Sequence, residues 1–403
     1  MYKTMKIAVF HNLPSGGAKR ALYDHVKHLT NSGHEVDVFV PSTANEDYLP
    51  LKDISTNVKV FPVQKTITGL IQSLIKYRLP ISELNNLQKA QKLIAEEINN
   101  GGYDIVFCEQ DQYSMTPFIL EYFKLPVVYY CQQPLRHEEA ILKKISKETP
   151  GNKPSIKKII YNYIDNRFVN IDKKIVDYAK YTLSNSYFSR ESILRSYGIN
   201  SYVCYLGIDT TIFKPLQVSK ENFVLSVGSY IPSKGHDFII KSLALVDPKI
   251  RPKFILVSNG GDVYWKNYLE KIANDLDVEI EILTLINDKK LVELYNKAKL
   301  VLYSPHLEPF GLVPLEAMAC GTPVVAVKEG GVRETVVHNE SGLLIEYDEA
   351  LFASATQKLL SDDTKRSEMG QKSIEIVKNY WTVENAGKRL EWHLNRAIEE
   401  KTN

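Results

Sequence analysis

Residues 306–325 read HLEPFGLVPLEAMACGTPVV. Two carboxylates, Glu308 and Glu316, bracket a Pro-Phe-Gly turn, and small and apolar residues follow. Acids so placed can accept hydrogen bonds from vicinal hydroxyls, as on a ribose or a hexose. A helix starting after the turn leaves N–H groups near Phe310, Gly311 and Leu312 without intrahelical partners. Those donors and the helix dipole favour an anion or a hydroxyl-rich ligand. Gly311 permits close backbone approach. The plain alternative for Glu316 is a solvated helix acid. Against it, VPL before and AMAC after make the helix apolar nearly all round, and an acid on a buried helix needs a partner.

Other loops offer complementary chemistry. In VGSYIPSKG (227–235), a strand ends at Gly228 and Lys234 opens a helix, a suitable point charge for phosphate. In HNLPSGGAKR (11–20), Gly16 and Gly17 either approach a ligand or make a plain turn; the pattern is not G-x-G-x-x-G. In YYCQQPLRHEE (129–139), Gln132 and Gln133 can hydrogen-bond but cannot serve as a base near neutral pH. Arg136 there suits an anionic acceptor or a structural salt bridge equally. Glu109 and Asp111, in CEQDQY, either bind acceptor hydroxyls or cap a helix.

These loops need strands and helices to carry them. The 403 residues are 44% hydrophobic and 24% charged, which suits two globular domains. A net charge of +2 gives no case for nucleic-acid binding. No apolar run approaches the roughly 18–20 residues needed to span a bilayer, and the N-terminal run is too short for a signal peptide. The N-terminal run reads as a first strand, which places the protein in the cytoplasm. Cys108, Cys131, Cys204 and Cys320 form no C-x-x-C or zinc pattern and read as buried thiols. Strands are expected at 6–10, 35–40, 103–108, 126–131, 181–186 and 201–206, and again at 222–228, 253–258, 278–283, 299–304, 322–327 and 342–346. Amphipathic helices alternate with them. The fold class is α/β, with two doubly wound, Rossmann-like domains whose ligands belong beyond the strands' carboxyl ends, facing a cleft. The expected domains are 1–208 and 209–385, joined near LGIDTTIFKPLQVSK (206–220), with a C-terminal helix over 386–403 packing back toward the first.

EPFGLVPLEAMACGTPVVA resembles the E-x7-E region of family 4 glycosyltransferases, which have the GT-B fold. LPSGGAKRAL (13–22), LSNSYFSRESILRSYGI (183–199), LGIDTTIFKP (206–215), VLSVGSYIPSKGHDFII (224–240) and EGGVRETVVHNESGLLI (329–345) resemble further segments of that family. The resemblance implies a retaining, metal-independent transfer from a nucleoside diphosphate sugar, with no cofactor. It implies that Glu316 bonds the donor ribose, Glu308 holds the transferred sugar, and amides at Phe310, Gly311 and Leu312 meet sugar and diphosphate. Lys234 would stabilise the departing diphosphate. Gly17 would touch the donor phosphate or the acceptor, and loops at Gly260 and Ile286 would frame the base. Gln132, Gln133, Arg136 and Glu109 would lie on the acceptor side.

Two departures stand out. Ser229 occupies the place of a usual arginine, with Lys328, Arg333 and Arg136 as candidate substitutes. Gln132 or Gln133 occupies the place of a usual histidine; His137 comes too late to take that role. The expected acceptor is a glycan or a lipid-linked molecule in cell-surface glycan synthesis, and the donor is UDP- or GDP-linked. ILKKISKETPGNKPSIKKIIYNYI (141–164) and LIQSLIKYRL (70–79) read either as surfaces for peripheral contact with the inner membrane or as core-facing stripes with solvated lysines. Rival readings are a non-catalytic sugar-nucleotide or glycan-binding subunit, and an epimerase or phosphorylase on the same fold.

Overall fold

The computed structural model describes residues 4–64, 81–135 and 169–402. The chain divides into two compact units. The first holds residues 4–64, 81–135, 169–205 and the chain from Glu384; the second holds Leu206–Val383. The segments 70–79 and 141–164, and Arg136, lie outside the described residues.

The first unit is built on a 7-stranded parallel sheet. Its strands are β1 (Lys6–Asn12), β2 (Glu35–Pro41), β3 (Asn57–Phe61), β4 (Ile105–Asp111), β5 (Val127–Tyr130), β6 (Tyr181–Ser184) and β7 (Tyr202–Val203). They lie in the order β3-β2-β1-β4-β5-β6-β7. β1 and β4 are apolar runs without alternation, as strands covered on both faces must be, and they are buried throughout apart from Lys6. The order reverses between β1 and β4, so the crevice for a ligand lies at their carboxyl ends. Helices α1 (Gly17–Asn31), α2 (Ile81–Asn100) and α3 (Tyr187–Tyr197) belong to this unit. The Ser186 hydroxyl caps α3 by accepting from the Ser189 N–H, and left-handed Gly198 ends it. The C-terminal helix, Val383–Thr402, contributes Glu391, whose carboxylate lies 3.2 Å from His34 and 3.6 Å from His28.

Two expectations fail at the edges of this sheet. β3 is absent from the sequence reading because NVKVF is short and half exposed, with an apolar pattern too brief to register. The run at 201–206 shrinks to Tyr202–Val203, since β7 pairs only with β6, over two residue pairs, before the chain turns away.

The second unit holds a 6-stranded parallel sheet in the order β10-β9-β8-β11-β12-β13. Its strands are β8 (Phe223–Val227), β9 (Lys253–Ser258), β10 (Ile280–Thr284), β11 (Leu300–Tyr303), β12 (Val324–Val327) and β13 (Gly342–Ile345). Between and after them come α4 (His236–Ala244), α5 (Val263–Asp275), α6 (Asp288–Lys297), α7 (Leu312–Ala319), α8 (Val332–Thr335), α9 (Glu349–Leu360) and α10 (Asp363–Tyr380). Asp262, Asn287, Asp348 and Asp362 cap α5, α6, α9 and α10 through side-chain oxygens. Ile239, Phe254, Leu256, Leu302, Val325 and Phe352 close the core on one side of the sheet. The order reverses between β8 and β11, which places the ligand crevice of this unit at the ends of those two strands.

No described helix is long and apolar enough to cross a membrane. The four cysteines are buried and unpaired.

Gly207 opens the second unit where main chain meets main chain. A Cβ there would lie 2.3 Å from the Thr382 carbonyl oxygen. Beside it the Ile208 N–H donates to the Trp381 carbonyl at 2.7 Å, and the Val383 N–H donates to the Ile208 carbonyl at 3.2 Å. Gly207→Ala must push these two segments apart. It is expected to cost about 1–3 kcal/mol, read as a lower urea midpoint for the second unit.

Candidate active site

The crevice of the second unit is stitched together before any ligand arrives. After β8 the chain bends at Gly228 and Ser229 and makes a short turn at Pro232–Lys234. Gly235 then caps α4 in the left-handed region, φ 66°. Only glycine fits there, because a Cβ would meet the Ser304 carbonyl oxygen at 2.2 Å. The Ser304 hydroxyl donates to the Gly235 carbonyl at 2.8 Å, and the His306 N–H donates to the Ser233 carbonyl at 2.9 Å. The loop after β8 is thus fastened to the loop after β11. As a result the Lys234 ammonium sits 2.8 Å from Glu308 Oε2, with side chains 28% and 17% exposed.

Glu308 is held from behind by its own backbone. Its carbonyl accepts from the Gly331 N–H at 2.8 Å. Phe310 is buried against Trp381, with ring centroids 5.7 Å apart. Gly311, at φ 104°, precedes the first residue of α7, Leu312. Phe310, Gly311 and Leu312 therefore do stand at a helix start. The phenol of Tyr303, buried below, is pushed well above its ordinary pKa by burial and then by the Glu308 charge.

Glu316 lies on α7 among Pro314, Leu315, Ala317 and Met318, all buried, and is itself 7% exposed. The partner that burial demands includes Tyr295 of α6, whose hydroxyl donates to Glu316 Oε2 at 2.7 Å. Burial, and then the Glu316 charge, hold that phenol well above its usual range, so it remains a donor. The sequence reading missed Tyr295. Its one signal is a phenol on the apolar face of α6, which looks like any core tyrosine.

Ser229 is half-buried in the bend that follows Gly228. Nearby stands a second residue missed from sequence. A Cβ on Gly228 would lie 3.6 Å from His236 Nε2 and 3.6 Å from Lys234 Cδ. His236 is buried, its Nδ1 has no hydrogen-bond partner, and burial with the Lys234 charge drives its pKa to about 3. It is a neutral ring beside the lysine. Of the suggested replacements for arginine, Lys328 pairs with Glu346 at 3.3 Å, and Arg333 Nε donates to the Gly330 carbonyl at 3.1 Å. Gly260 is pinned by the Ser258 hydroxyl, which donates to its carbonyl at 2.8 Å and accepts from its N–H at 3.0 Å. Ile286 follows Leu285, whose φ is 55°.

In the first unit, Gly17 opens α1 behind Gly16, whose φ is 137°. Glu109 has no exposed surface, and the Gln132 amide donates to its two oxygens at 3.3 and 3.2 Å. Burial pushes its pKa to about 8. Glu109 supports Gln132 from within. Gln133 is fastened through its backbone to Gln110, accepting at 2.7 Å and donating at 3.2 Å. Asp111 accepts from Asn12, Gln91, and the N–H groups of Tyr113 and Ser114. A cluster not foreseen joins Lys19, His11 and Glu46: Lys19 bonds Glu46, and His11 Nε2 lies 2.9 Å from it. Lys19 and His11 are wholly buried, and burial takes His11 to about 4. A lysine early in a helix reads as a surface residue, so the sequence carries no sign of this cluster.

With this geometry in view, comparison with known proteins is decisive. Residues 15–212 match Glycosyltransferase Family 4, and residues 208–376 match Glycosyl transferases group 1. The chain is a family 4 glycosyltransferase. Members of this family are retaining and metal-independent, and the enzyme transfers sugars from nucleotide sugars. It is 27% identical to D-inositol 3-phosphate glycosyltransferase of Acidothermus cellulolyticus, over 92% of this chain and 84% of that one. It is 26% identical to the α-1,3/1,6-mannosyltransferase ALG2 of Mus musculus, over 66% and 67%. Its fold resembles that of Anabaena Alr3699/HepE, solved with UDP-glucose, at TM-score 0.71 and 20% identity over 97% of this chain and 100% of that one. It also resembles sucrose-phosphate synthase of Thermosynechococcus elongatus, at TM-score 0.75 and 19% identity over 98% and 100%. The GT-B fold of this glycosyltransferase is the one expected from its sequence.

The buried Glu109 predicts a pH dependence of stability. Its folded pKa of about 8 lies above the ordinary 4.5, so the native state binds a proton that the unfolded chain releases. That contribution is full below the ordinary value and fades as pH rises through the folded one. Glu109→Gln mimics the neutral acid. Wild type is expected to lose stability relative to this variant between about pH 5 and 8, by up to about 1.4 kcal/mol per unit, and to level off above. Urea midpoints across that range provide the check.

Proposed function

We propose that this glycosyltransferase moves a hexosyl group from a UDP- or GDP-linked donor held by the second unit to a glycan or lipid-linked acceptor held by the first. The observation that carries the reading is the pair of acids on one loop and helix. Glu308 faces Lys234, and Glu316 is held by Tyr295, both at the carboxyl ends of β8 and β11. In this reading Glu316 accepts from the ribose hydroxyls and Glu308 from the hydroxyls of the transferred sugar. The N–H groups of Phe310, Gly311 and Leu312 meet the sugar and diphosphate, while the loops at Gly260 and Ile286 border the base.

Lys234 and the α7 amides stabilise charge on the departing diphosphate, where fixed donors act most strongly. Ser229 contributes one hydroxyl in that place, and Gly17 contacts the donor phosphate or the acceptor. Gln132, held by Glu109, offers hydrogen bonds on the acceptor side, with Gln133 and Arg136 nearby in sequence. Retention requires no protein base in this scheme, because a departing phosphate oxygen can take the acceptor proton. The relatives named above include a D-inositol 3-phosphate glycosyltransferase and a mannosyltransferase, which supports a role in glycoconjugate synthesis.

Turnover with paired UDP- and GDP-sugars and glycan or lipid-linked acceptors tests the reading. One donor is expected to support transfer with retention. Lys234→Met is expected to lower kcat by about 10²–10³-fold, and Glu316→Ala to weaken donor binding by at least about tenfold, the weight of one charged hydrogen bond. If nucleotide sugars bind and no acceptor is ever glycosylated, a sugar-nucleotide-binding subunit becomes the better reading, with Ser229 as its cause.

A further inference from the structure

We propose that Glu308 sets the preference of this site for a nucleotide sugar over the bare nucleoside diphosphate that transfer leaves behind. The inference rests on the donor reading above and adds a specificity role to it.

Lys234 is the only lysine or arginine in the two loops, 228–235 and 304–311, that form this crevice. Ser229 brings no charge, and His236 is a neutral ring. Lys328 pairs with Glu346 at an exposed site, and Arg333 Nε donates to the carbonyl of Gly330, in the turn packed against Glu308. The charge that would bind a diphosphate is already countered by Glu308 at 2.8 Å. An incoming diphosphate must therefore compete with a carboxylate for one ammonium group.

The two ligands fare differently in that competition. A bare nucleoside diphosphate takes the lysine and leaves Glu308 with the Tyr303 phenol but no cation, beside several negative charges, which is unfavourable. A nucleotide sugar also takes the lysine, but its hydroxyls donate to Glu308 and replace the lost N–H partner. Once the sugar has moved to the acceptor, that compensation disappears. Glu308 then reclaims Lys234 and weakens the hold on the product. The exchange needs only side-chain rotation, because the backbone under Glu308 is fixed. A Cβ on Gly330 would meet the Glu308 carbonyl oxygen at 2.3 Å, and the Gly331 N–H bonds that same oxygen at 2.8 Å, so the backbone here is closely packed.

Calorimetric titration of UDP, UDP-glucose, GDP and GDP-mannose, into wild type and Glu308→Gln, tests the proposal. Glutamine keeps the shape and removes the charge. The variant is expected to bind the nucleoside diphosphate about tenfold more tightly and its sugar conjugate more weakly, so that the preference collapses. In a Lys234→Met background the tightening is expected to shrink, because the competition has lost its object. Glu308→Ala should act with the same sign, and thermal midpoints identify any variant that fails to fold. If wild type binds these ligands and both Glu308 variants bind the diphosphate no better, the discrimination role is overturned while the donor reading survives. If wild type binds none of them, the donor reading falls and takes this inference with it.

Discussion

The turn that carries Glu308 is fixed by main chain packed directly on main chain. A Cβ on Gly331 would fall 2.2 Å from the Pro309 carbonyl oxygen, and one on Gly330 2.3 Å from that of Glu308. No side-chain adjustment relieves contacts of this kind, so two adjacent glycines are required whatever surrounds them. A similar contact, Gly235 against Ser304, ties the lysine-bearing loop to the same place. The ion pair between Lys234 and Glu308 is the outcome of these two backbone clamps. The placement of the chemistry is therefore set before any side chain in it makes a contact.

A second theme is how acids survive without water. Burying a carboxylate is costly unless it is paired or neutralised, and this protein uses several solutions. Glu316 stays in reach of the crevice and leans on a phenol. Glu46 is held by His11 and Lys19, and although burial opposes it, those partners bring its pKa down to about 2. Asp111 gathers four donors from one strand, a helix and a turn. Glu109 instead takes up a proton and becomes a neutral prop. These groups all lie at or near the carboxyl ends of parallel strands, where a doubly wound sheet opens to its ligand.

Much of this arrangement was legible in the sequence. Parallel strands buried on both faces leave long apolar runs, and so the central strands of both sheets could be read directly. Only β3, at one edge of its sheet, escaped, because it is short and half exposed, while β7 at the other edge was read too long. The acids Glu308 and Glu316 were legible because charge within an apolar stretch demands explanation. Their supports were not. Tyr295, His236 and the Lys19 cluster acquire meaning only through neighbours distant in the chain, and no local spacing records those neighbours. The hold of Glu109 on Gln132 was hidden for the same reason. An acid at a strand's end looks available, until folding places Gln132 across it.

The central claim is that one nucleotide sugar spans Glu316, the start of α7 and Lys234. A crystal structure of the enzyme with a bound UDP- or GDP-sugar tests it most directly. Ribose hydroxyls are expected at the Glu316 carboxylate, the diphosphate within hydrogen-bond reach of the Lys234 ammonium, and sugar hydroxyls on Glu308. Density for the nucleotide at the carboxyl ends of β1 and β4, with the Lys234–Glu308 pair intact, would contradict it.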